Sequence, residues 1–343
     1  MQDQYVVVVT SINAPTPAVI DIARDAGRLS AHFVVVGDAK SPADFHQDGA
    51  DYLDLAAQGE TGFALAAVAP TGHYARKNLG YLHAIRRGAT VIIETDDDNI
   101  PLDDFWSPRA LGQTGPVVRD AGWTNAYRYF TAHHVWPRGF PLTLVQSLPT
   151  DLATVETRVL DCPIQQGLAN RNPDVDAIYR LTLPLPIDFD RRGPVLLAGS
   201  TWCPFNSQNT TWWRQAFPLL YLPSYCSFRM TDIWRGFVAQ RILAANDWAM
   251  TFHQATVVQD RNEHDLMRDF ADEISGYLNN ERIVTALAAL DLPSGRARIC
   301  DNLVRCYRIL VEMALVDPRE LTLLDAWIKD LGDLDPVFRR GEF

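Results

Sequence analysis

The sequence predicts an α/β domain built on a mostly parallel central sheet and followed by a helical C-terminal region. Residues 5–9 and 33–36 are short, β-branched and almost fully apolar, as is typical of parallel strands buried on both faces. Between them, residues 18–26 follow two prolines and end at Gly27, which indicates a helix. With 47% hydrophobic and 21% charged residues among 343, the chain can bury a sizeable core.

Further elements follow the same alternation. A helix is expected within residues 72–88 and a strand at 90–94, and strands and helices of this length pack as a right-handed, mostly parallel sheet. Later in the chain we expect a helix at 231–245 and strands at 116–119, 179–183, 195–198 and 256–259.

The pattern divides the chain into two regions. Residues 1–262 are predicted to form the α/β domain. Its first half, residues 1–100, is predicted to bind a nucleotide. Its second half, residues 101–262, is rich in Pro, Trp and Tyr and is predicted to bind an acceptor substrate. Residues 263–343 are predicted to be helical.

Charge and composition exclude several classes of protein. The formal net charge of -11 argues against nucleic-acid binding, which normally needs a basic face. No apolar run is long enough to cross a bilayer, and no signal peptide is evident, so we expect a cytoplasmic protein without a transmembrane segment, at most peripheral to the inner face of a membrane. The five cysteines are scattered without a CxxC pair, which indicates reduced, mostly buried thiols.

The strongest local signal is the acidic run that follows the strand at 90–94. Asp96, Asp97 and Asp98 stand where ligands of parallel sheets bind, and Mg²⁺ or Mn²⁺ is commonly held by one or two carboxylates together with substrate phosphate oxygens. In an extended segment Asp96 and Asp98 would share a side, so these two are the metal-ligand candidates. The alternative is a solvated acidic turn or a helix N-cap.

Polar residues near the predicted strand ends outline a nucleotide pocket. Arg76, Lys77 and Asn78 lie near the start of the helix that precedes the acidic run, and they could hold phosphate groups. The alternative interpretation is that the two basic residues only contribute surface charge. The pocket lacks both the GxxxxGK[ST] and the GxGxxG pattern. Its predicted nucleotide-sugar-binding residues are Thr10, Ser11, Asn13, Asp38, Lys40, Arg76, Lys77, Asn78, Asp96 and Asp97.

Two later segments combine amide side chains with tryptophans, a mixture that suits a sugar. Asp232, at a predicted helix start, could take a proton from an acceptor hydroxyl. Alternatively it is only an N-terminal helix charge, with Arg235 and Arg241 as its ion-pair partners. The predicted acceptor-binding residues are Asn206, Gln208, Asn209, Trp212, Trp234 and Arg235.

In this order, the segments 75–81, 94–101, 204–210, 231–236 and 257–264 resemble the STELLO family of glycosyltransferases. Plant members of that family are Golgi membrane proteins associated with polysaccharide biosynthesis, namely the synthesis of cellulose. The resemblance implies a GT-A-like, Rossmann-type fold in which a DXD-type motif, here Asp96 to Asp98, binds Mn²⁺ or Mg²⁺ and the diphosphate of a nucleotide sugar. It also implies that Asp232 is the general base of an inverting enzyme. His264, or else His253, would complete the metal site.

The predicted function is therefore a metal-dependent glycosyltransferase. It would move a sugar from a nucleotide-sugar donor, a UDP- or GDP-sugar, to a glycan or another hydroxyl acceptor. A nucleotide-sugar mutase and a nucleotidyltransferase are the enzymatic alternatives, because both can pair an acidic metal motif with a similar sheet. A non-catalytic scaffold of a polysaccharide-synthesis complex is the alternative from another class.

Overall fold

The computed structural model describes residues 3–261 and 265–339. These residues form an eleven-stranded mixed sheet flanked by helices, together with a small two-stranded sheet. The strands are β1 Tyr5–Thr10, β2 His32–Val36, β3 Asp51–Leu53, β4 Val91–Thr95, β5 Asn99–Pro101, β6 Gly112–Arg119, β7 Gly122–Trp123, β8 Thr157–Asp161, β9 Ile164–Asn170, β10 Val195–Ala198, β11 Thr201–Trp202, β12 Asn209–Trp213 and β13 Met250–Gln259. The helices are α1 Pro17–Asp25, α2 Leu55–Glu60, α3 Ala64–Val68, α4 Lys77–Arg86, α5 Ala177–Thr182, α6 Thr231–Ala245, α7 Leu266–Ala288, α8 Ile299–Glu312 and α9 Glu320–Leu334.

The order of the strands brings several loop regions to one edge of the main sheet. The order is β3-β2-β1-β4-β12-β9-β13-β10-β6-β8, and β5 pairs with β13. Pairing is parallel from β3 to β4 and between β9 and β13, whereas β12 runs antiparallel to both of its neighbours. As a result the carboxyl ends of β1, β2, β4, β9 and β13 and the beginning of β12 lie at the same edge. The predicted α/β class with a central sheet and C-terminal helices is confirmed.

The apolar runs arise because the central strands are covered on both faces. In β1, Val6 and Val8 belong to one core cluster and Val7 and Val9 to another, since successive side chains point to opposite faces. Helix α4 packs closely on the first face, where Gly80 allows contact: a Cβ built there would lie 2.5 Å from Val36 Cγ2.

One predicted element has the wrong type. Residues 179–183 are predicted as a strand, but Ala177–Thr182 is the helix α5. The Asp176 side chain caps this helix by accepting a hydrogen bond from the backbone N–H of Tyr179 at 2.8 Å. A local cap therefore overrides the strand preference of Ile178 and Tyr179.

The C-terminal helices pack against the helices that cover the sheet. Helix α7 contacts α5 and α6, and α9 contacts α3 and α4. The Asp330 carboxylate accepts hydrogen bonds from the backbone N–H groups of Ala64 and Leu65, both at 2.8 Å. Within the described ranges, the structure contains no helix of the length and apolar character that a membrane span requires.

Candidate functional site

The acidic run forms a tight turn between β4 and β5 at the shared sheet edge. The Asn99 backbone N–H donates to the Asp96 carbonyl at 3.2 Å, and the Asp260 N–H donates to the Asp98 carbonyl at 2.8 Å. The extended geometry expected for Asp96 to Asp98 is therefore wrong, because the chain must reverse here to pair β5 with β13. The three carboxylates point toward different partners.

Asp97 is directed toward the end of β1. Its Oδ2 accepts hydrogen bonds from the Ser11 hydroxyl at 2.6 Å and from Asn13 Nδ2 at 3.0 Å. The Thr16 hydroxyl, which caps α1, donates to the Asp97 carbonyl. Three residues after β1 thus fix the acidic turn in place.

Asp96 is directed toward the first residue of α4. The buried Lys77 ammonium donates to Asp96 Oδ1 and to the Thr95 carbonyl, both at 2.8 Å. Burial raises the pKa of Asp96 even though Lys77 opposes the shift, and the negative charges of Asp97 and Asp232 add to the increase. Asp232 therefore lies within electrostatic reach of the acidic turn.

Asp98 is directed toward the end of β13. Gln259 Nε2 donates to Asp98 Oδ2 at 3.1 Å, whereas Oδ1 is buried without a hydrogen-bond partner. Burial, followed by the charges of Asp96 and Asp97, raises the pKa of Asp98 to about 7. A buried carboxylate oxygen without a partner is unfavourable, so this atom is a candidate for contact with a cation or a ligand.

Asp232 lies in the first turn of α6 and forms a buried ion pair. Arg138 donates from Nη1 to Oδ1 at 3.1 Å and from Nη2 to Oδ2 at 3.0 Å, and the Ser207 N–H donates to Oδ2 at 3.2 Å. Burial alone would raise the pKa of Asp232, but the charge and hydrogen bonds of Arg138 outweigh it and lower the pKa to about 2. The Tyr74 hydroxyl is a weaker donor to Oδ1, at 3.4 Å.

The ion-pair partner of Asp232 is thus Arg138, not Arg235 or Arg241. Arg138 also binds both oxygens of Asp174 at 2.8 Å, and Asp174 accepts a further hydrogen bond from Asn206 Nδ2 at 2.8 Å. Arg138 and Asp174 lie in the irregular middle of the chain, where no spacing pattern distinguishes them. The sequence analysis therefore missed both.

Several predicted acceptor-binding side chains lie in the core. Trp212 and Arg235 are fully buried and both bond to the carboxylate of Glu94, another residue that sequence reasoning missed. Trp234 donates its indole N–H to Asn280 Oδ1 on α7 at 2.9 Å. These three side chains pack the interior instead of lining an open surface, because β12 and α6 are buried on all sides.

The amide residues just before and at the start of β12 are also buried but lie at the sheet edge. Asn206 reaches Asp174, as described above. Asn209 donates to the Leu168 carbonyl at 3.0 Å and to the Thr256 hydroxyl at 2.8 Å. The Gln208 carbonyl accepts from Asn99 Nδ2 at 3.1 Å, which ties this segment to the acidic turn.

The predicted nucleotide residues fall into two groups. Thr10, Ser11, Asn13, Lys77, Asp96 and Asp97 gather at the end of β1 and the turn after β4. The side chains of the others are directed elsewhere: Arg76 bonds Gln58 and the carbonyls of residues 69–70, and Asn78 bonds the Leu222 backbone. Asp38 accepts from the N–H groups of Gly72 and His73, and Lys40 is exposed.

A divalent cation bound at the acidic turn would be coordinated by carboxylate oxygens, and substrate oxygens would complete its coordination shell. Asp96 and Asp98 supply hard oxygen ligands, and the unpartnered Asp98 Oδ1 fits contact with a cation. No cluster of three or more His, Cys, Asp or Glu side chains suited to a metal occurs in residues 3–261 and 265–339. His264 lies outside the described residues. Burial and the charge of Arg109 lower the pKa of His253 to about 4, and its Nδ1 donates to the backbone carbonyl of Gln254 at 3.0 Å.

The fold and this edge define a mixed α/β protein consistent with the GT-A-like class, with an acidic turn after a central strand. Residues 229–340 match the family model described as STELLO glycosyltransferases. Two relatives from Arabidopsis thaliana, "Probable glycosyltransferase STELLO2" and "Probable glycosyltransferase STELLO1", are 28% and 27% identical over 319 residues, or 87% of this chain. The predicted resemblance to the STELLO family is confirmed. The chain spans 41% of the length of each of these relatives.

Proposed function

We propose that this protein is a metal-dependent glycosyltransferase that moves a sugar from a nucleotide-sugar donor to a hydroxyl group of a glycan or another acceptor, with inversion. The observation that carries the proposal is the meeting of the acidic turn and Asp232 at one sheet edge. The Ser207 N–H donates to Asp232 at 3.2 Å, and the carbonyl of the next residue, Gln208, accepts from Asn99 of the acidic turn at 3.1 Å. Such an edge is where α/β sheets bind their ligands. The family match and the names of the two relatives support the class of reaction.

The donor side of the reaction is assigned to the end of β1 and the acidic turn. Asp96 and Asp98 would hold Mn²⁺ or Mg²⁺, which supplies positive charge to the diphosphate leaving group. Lys77, buried beside Asp96, holds that carboxylate in position and adds positive charge on the same side. Ser11 and Asn13 fix the turn through Asp97, so that the carboxylates are oriented before the donor binds.

The acceptor side is assigned to Asp232 as general base. The low pKa keeps its carboxylate ionised at neutral pH, so its oxygens carry no proton when the acceptor binds, and Arg138 fixes its orientation. The contacts from the Tyr74 hydroxyl at 3.4 Å and the Ser207 hydroxyl at 3.5 Å are at the limit of hydrogen bonding. An acceptor hydroxyl would replace one of these two weak donors.

The proposed step is an in-line displacement at the anomeric carbon. The acceptor oxygen forms a bond to that carbon while the bond from the carbon to the diphosphate oxygen breaks. The bonding electrons leave with the nucleoside diphosphate, and the acceptor proton passes to Asp232. Because both substrates would be held at one edge of the sheet, their positioning would supply most of the rate increase over the reaction in solution.

Donor turnover with Mn²⁺ tests the proposal. The Asp96→Asn and Asp98→Asn variants should lose at least 100-fold in sugar transfer or donor hydrolysis from UDP- or GDP-sugars, and both should remain folded by circular dichroism. Asp103→Asn, which removes an exposed carboxylate of the same charge nearby, is the control and should retain activity. Full activity of both acidic-turn variants would refute the metal assignment.

The products distinguish the proposed activity from its alternatives. Acceptor-dependent release of a nucleoside diphosphate is expected. Conversion of the sugar without any acceptor would instead identify a mutase, and release of pyrophosphate would identify a nucleotidyltransferase. If calorimetry detects binding of neither nucleotide nor metal, the result would favour the non-catalytic scaffold.

A further inference from the structure

Arg180, on α5, is a largely enclosed guanidinium that lacks a carboxylate partner. Its Nη2 donates to the Pro173 carbonyl at 2.9 Å, and Nη1 makes only a long contact with Asn172 Oδ1 at 3.4 Å. Its Nε is buried without a hydrogen-bond partner. Among the residues that the structure describes, no acidic side chain lies within ion-pairing distance of Arg180. A buried N–H of a charged group is costly to leave unpaired, so the site favours an added acceptor.

The charged groups around Arg180 are ion-paired with one another. Arg261 pairs with Asp269 at 2.8 Å, Arg229 pairs with Glu273 at 2.9 Å, and both oxygens of Asp174 bind Arg138. Burial, followed by the charge of Arg261, lowers the pKa of Arg180 to about 9, whereas the charges of Asp174 and Asp269 oppose the shift. Asp174 and Asp269 thus each have another arginine as their ion-pair partner.

This arginine is connected to the acidic turn through the ends of β9 and β13. Asn172, which contacts Arg180, donates to the Gln259 carbonyl at 3.4 Å, and Gln259 donates to Asp98 at 3.1 Å. Gln259 Oε1 and Asp98 Oδ1 are themselves buried without partners. This end of the site thus presents one unpartnered donor atom, Arg180 Nε, and two unpartnered acceptor atoms, Gln259 Oε1 and Asp98 Oδ1.

We propose that Arg180 binds an oxyanion group of a substrate, a phosphate or a carboxylate, at the β9 and β13 end of the site. A guanidinium fork that is partly shielded from water binds such groups strongly and in a fixed orientation. Two molecules could carry the group: the donor, through its diphosphate, or an acidic acceptor. The choice between them rests on the proposed function, whereas binding of the oxyanion itself does not.

Binding of inorganic phosphate and pyrophosphate without metal tests the subsite. With EDTA present and ionic strength held constant with NaCl, titration calorimetry should detect phosphate binding to the wild type. Arg180→Gln should weaken it at least 10-fold, and Arg180→Lys, which keeps the charge but loses the fork, should weaken it less. Arg308→Gln removes an exposed arginine on α8 and should bind as the wild type does.

Two results would overturn the proposal: no phosphate or pyrophosphate binding by the wild type, or unchanged binding by a folded Arg180→Gln variant. If Arg180→Gln does not fold, Arg180→Lys takes its place, and unchanged binding by this variant would have the same meaning. Thermal unfolding of each variant in buffer alone shows which of them are folded.

Titrations with UDP and GDP in the presence of Mn²⁺ show which substrate carries the oxyanion group that binds Arg180. If the donor carries it, phosphate should compete with the nucleotide, and Arg180→Gln should lose at least 10-fold in nucleotide affinity. If an acidic acceptor carries it, phosphate and nucleotide should bind together, and nucleotide affinity should be unchanged. Phosphate binding that depends on Arg180 in a protein that binds and turns over no nucleotide sugar would leave the subsite standing and refute the proposed function.

Discussion

Arg138 and Asp232, 94 residues apart in the chain, form a buried bidentate ion pair at the candidate site. Both side chains are at least nine-tenths buried, with 6% and 5% of their surface exposed. Arg138 simultaneously binds Asp174, so one guanidinium holds two carboxylates. This arrangement fixes the orientation of Asp232 and keeps its carboxylate ionised.

Acid should weaken the folded state through this pair. Because the pKa of Asp232 falls from the ordinary 3.8 to about 2, its ionised form stabilises the protein above pH 4, and this contribution is lost as the pH falls toward 2. The loss should be about 2 kcal/mol. Urea unfolding of the wild type and of Asp232→Asn from pH 5 to pH 2 should show the difference between their stabilities shrinking by that amount. A constant difference would contradict the lowered pKa.

The same variant should lose transfer activity. Asp232→Asn keeps the size of the side chain but cannot accept the proton, so transfer should fall by about 100-fold or more. Donor binding, measured by calorimetry with Mn²⁺, should stay within about threefold because Asp232 is assigned to the acceptor side. Full transfer activity in this variant would remove its role as base.

Removal of Arg138 should destabilise the protein more than removal of an exposed arginine. Arg138→Gln leaves Asp174 and Asp232 buried without their cation, and breaking a buried ion pair in this way typically costs about 3–5 kcal/mol. Arg308→Gln, the exposed control, should change the free energy of unfolding by less than about 0.5 kcal/mol. Urea unfolding at pH 7 measures both. Equal small effects would show that the carboxylates find other partners or water.

Gly80 should resist substitution because α4 lies against β1 and β2. In Gly80→Ala the new methyl group would meet Val36 at 2.5 Å and Val8 at 2.7 Å, and such overpacking typically costs about 1–3 kcal/mol. Gly59→Ala, in the exposed α2, meets no atom within 4 Å and should be neutral or stabilising. The difference in unfolding midpoint between the two variants is the measurement. Equal midpoints would mean that α4 can shift away from the sheet.

The cysteines should be unreactive in the folded protein. The five cysteines form no disulfide among the described residues, and burial raises the pKa of Cys162, Cys203 and Cys306 to about 12. At pH 8 the thiolate fraction of such a group is on the order of 10⁻⁴. A thiol reagent should therefore label these three side chains rapidly only after unfolding in guanidinium chloride, as followed by mass spectrometry. Rapid labelling of the native protein would contradict their burial.

Much of the fold could be predicted because it depends on local pattern. The apolar runs of β1, β2 and β4 and the helix α6 follow from which residues recur and at what spacing. The strand predicted at 179–183 failed because the cap at Asp176 acts through one hydrogen bond that hydrophobic periodicity does not register. The acidic turn was recognised, but its conformation was not, since it depends on pairing between β5 and the distant β13.

The candidate site also combines features of short segments, which the sequence predicts, with contacts between distant residues, which it does not. That carboxylates follow a central strand and that Asp232 begins a helix can be predicted from the sequence, because both features are contained in short segments. The pairing of Arg138 with Asp232, the binding of Arg235 and Trp212 by Glu94 in the core, and the lack of a carboxylate partner for Arg180 among the described residues become visible only in the folded chain. These contacts join residues far apart in the chain, and whether a charge is paired, buried or available to a ligand depends on which distant groups the folded sheet brings within a few ångströms of it.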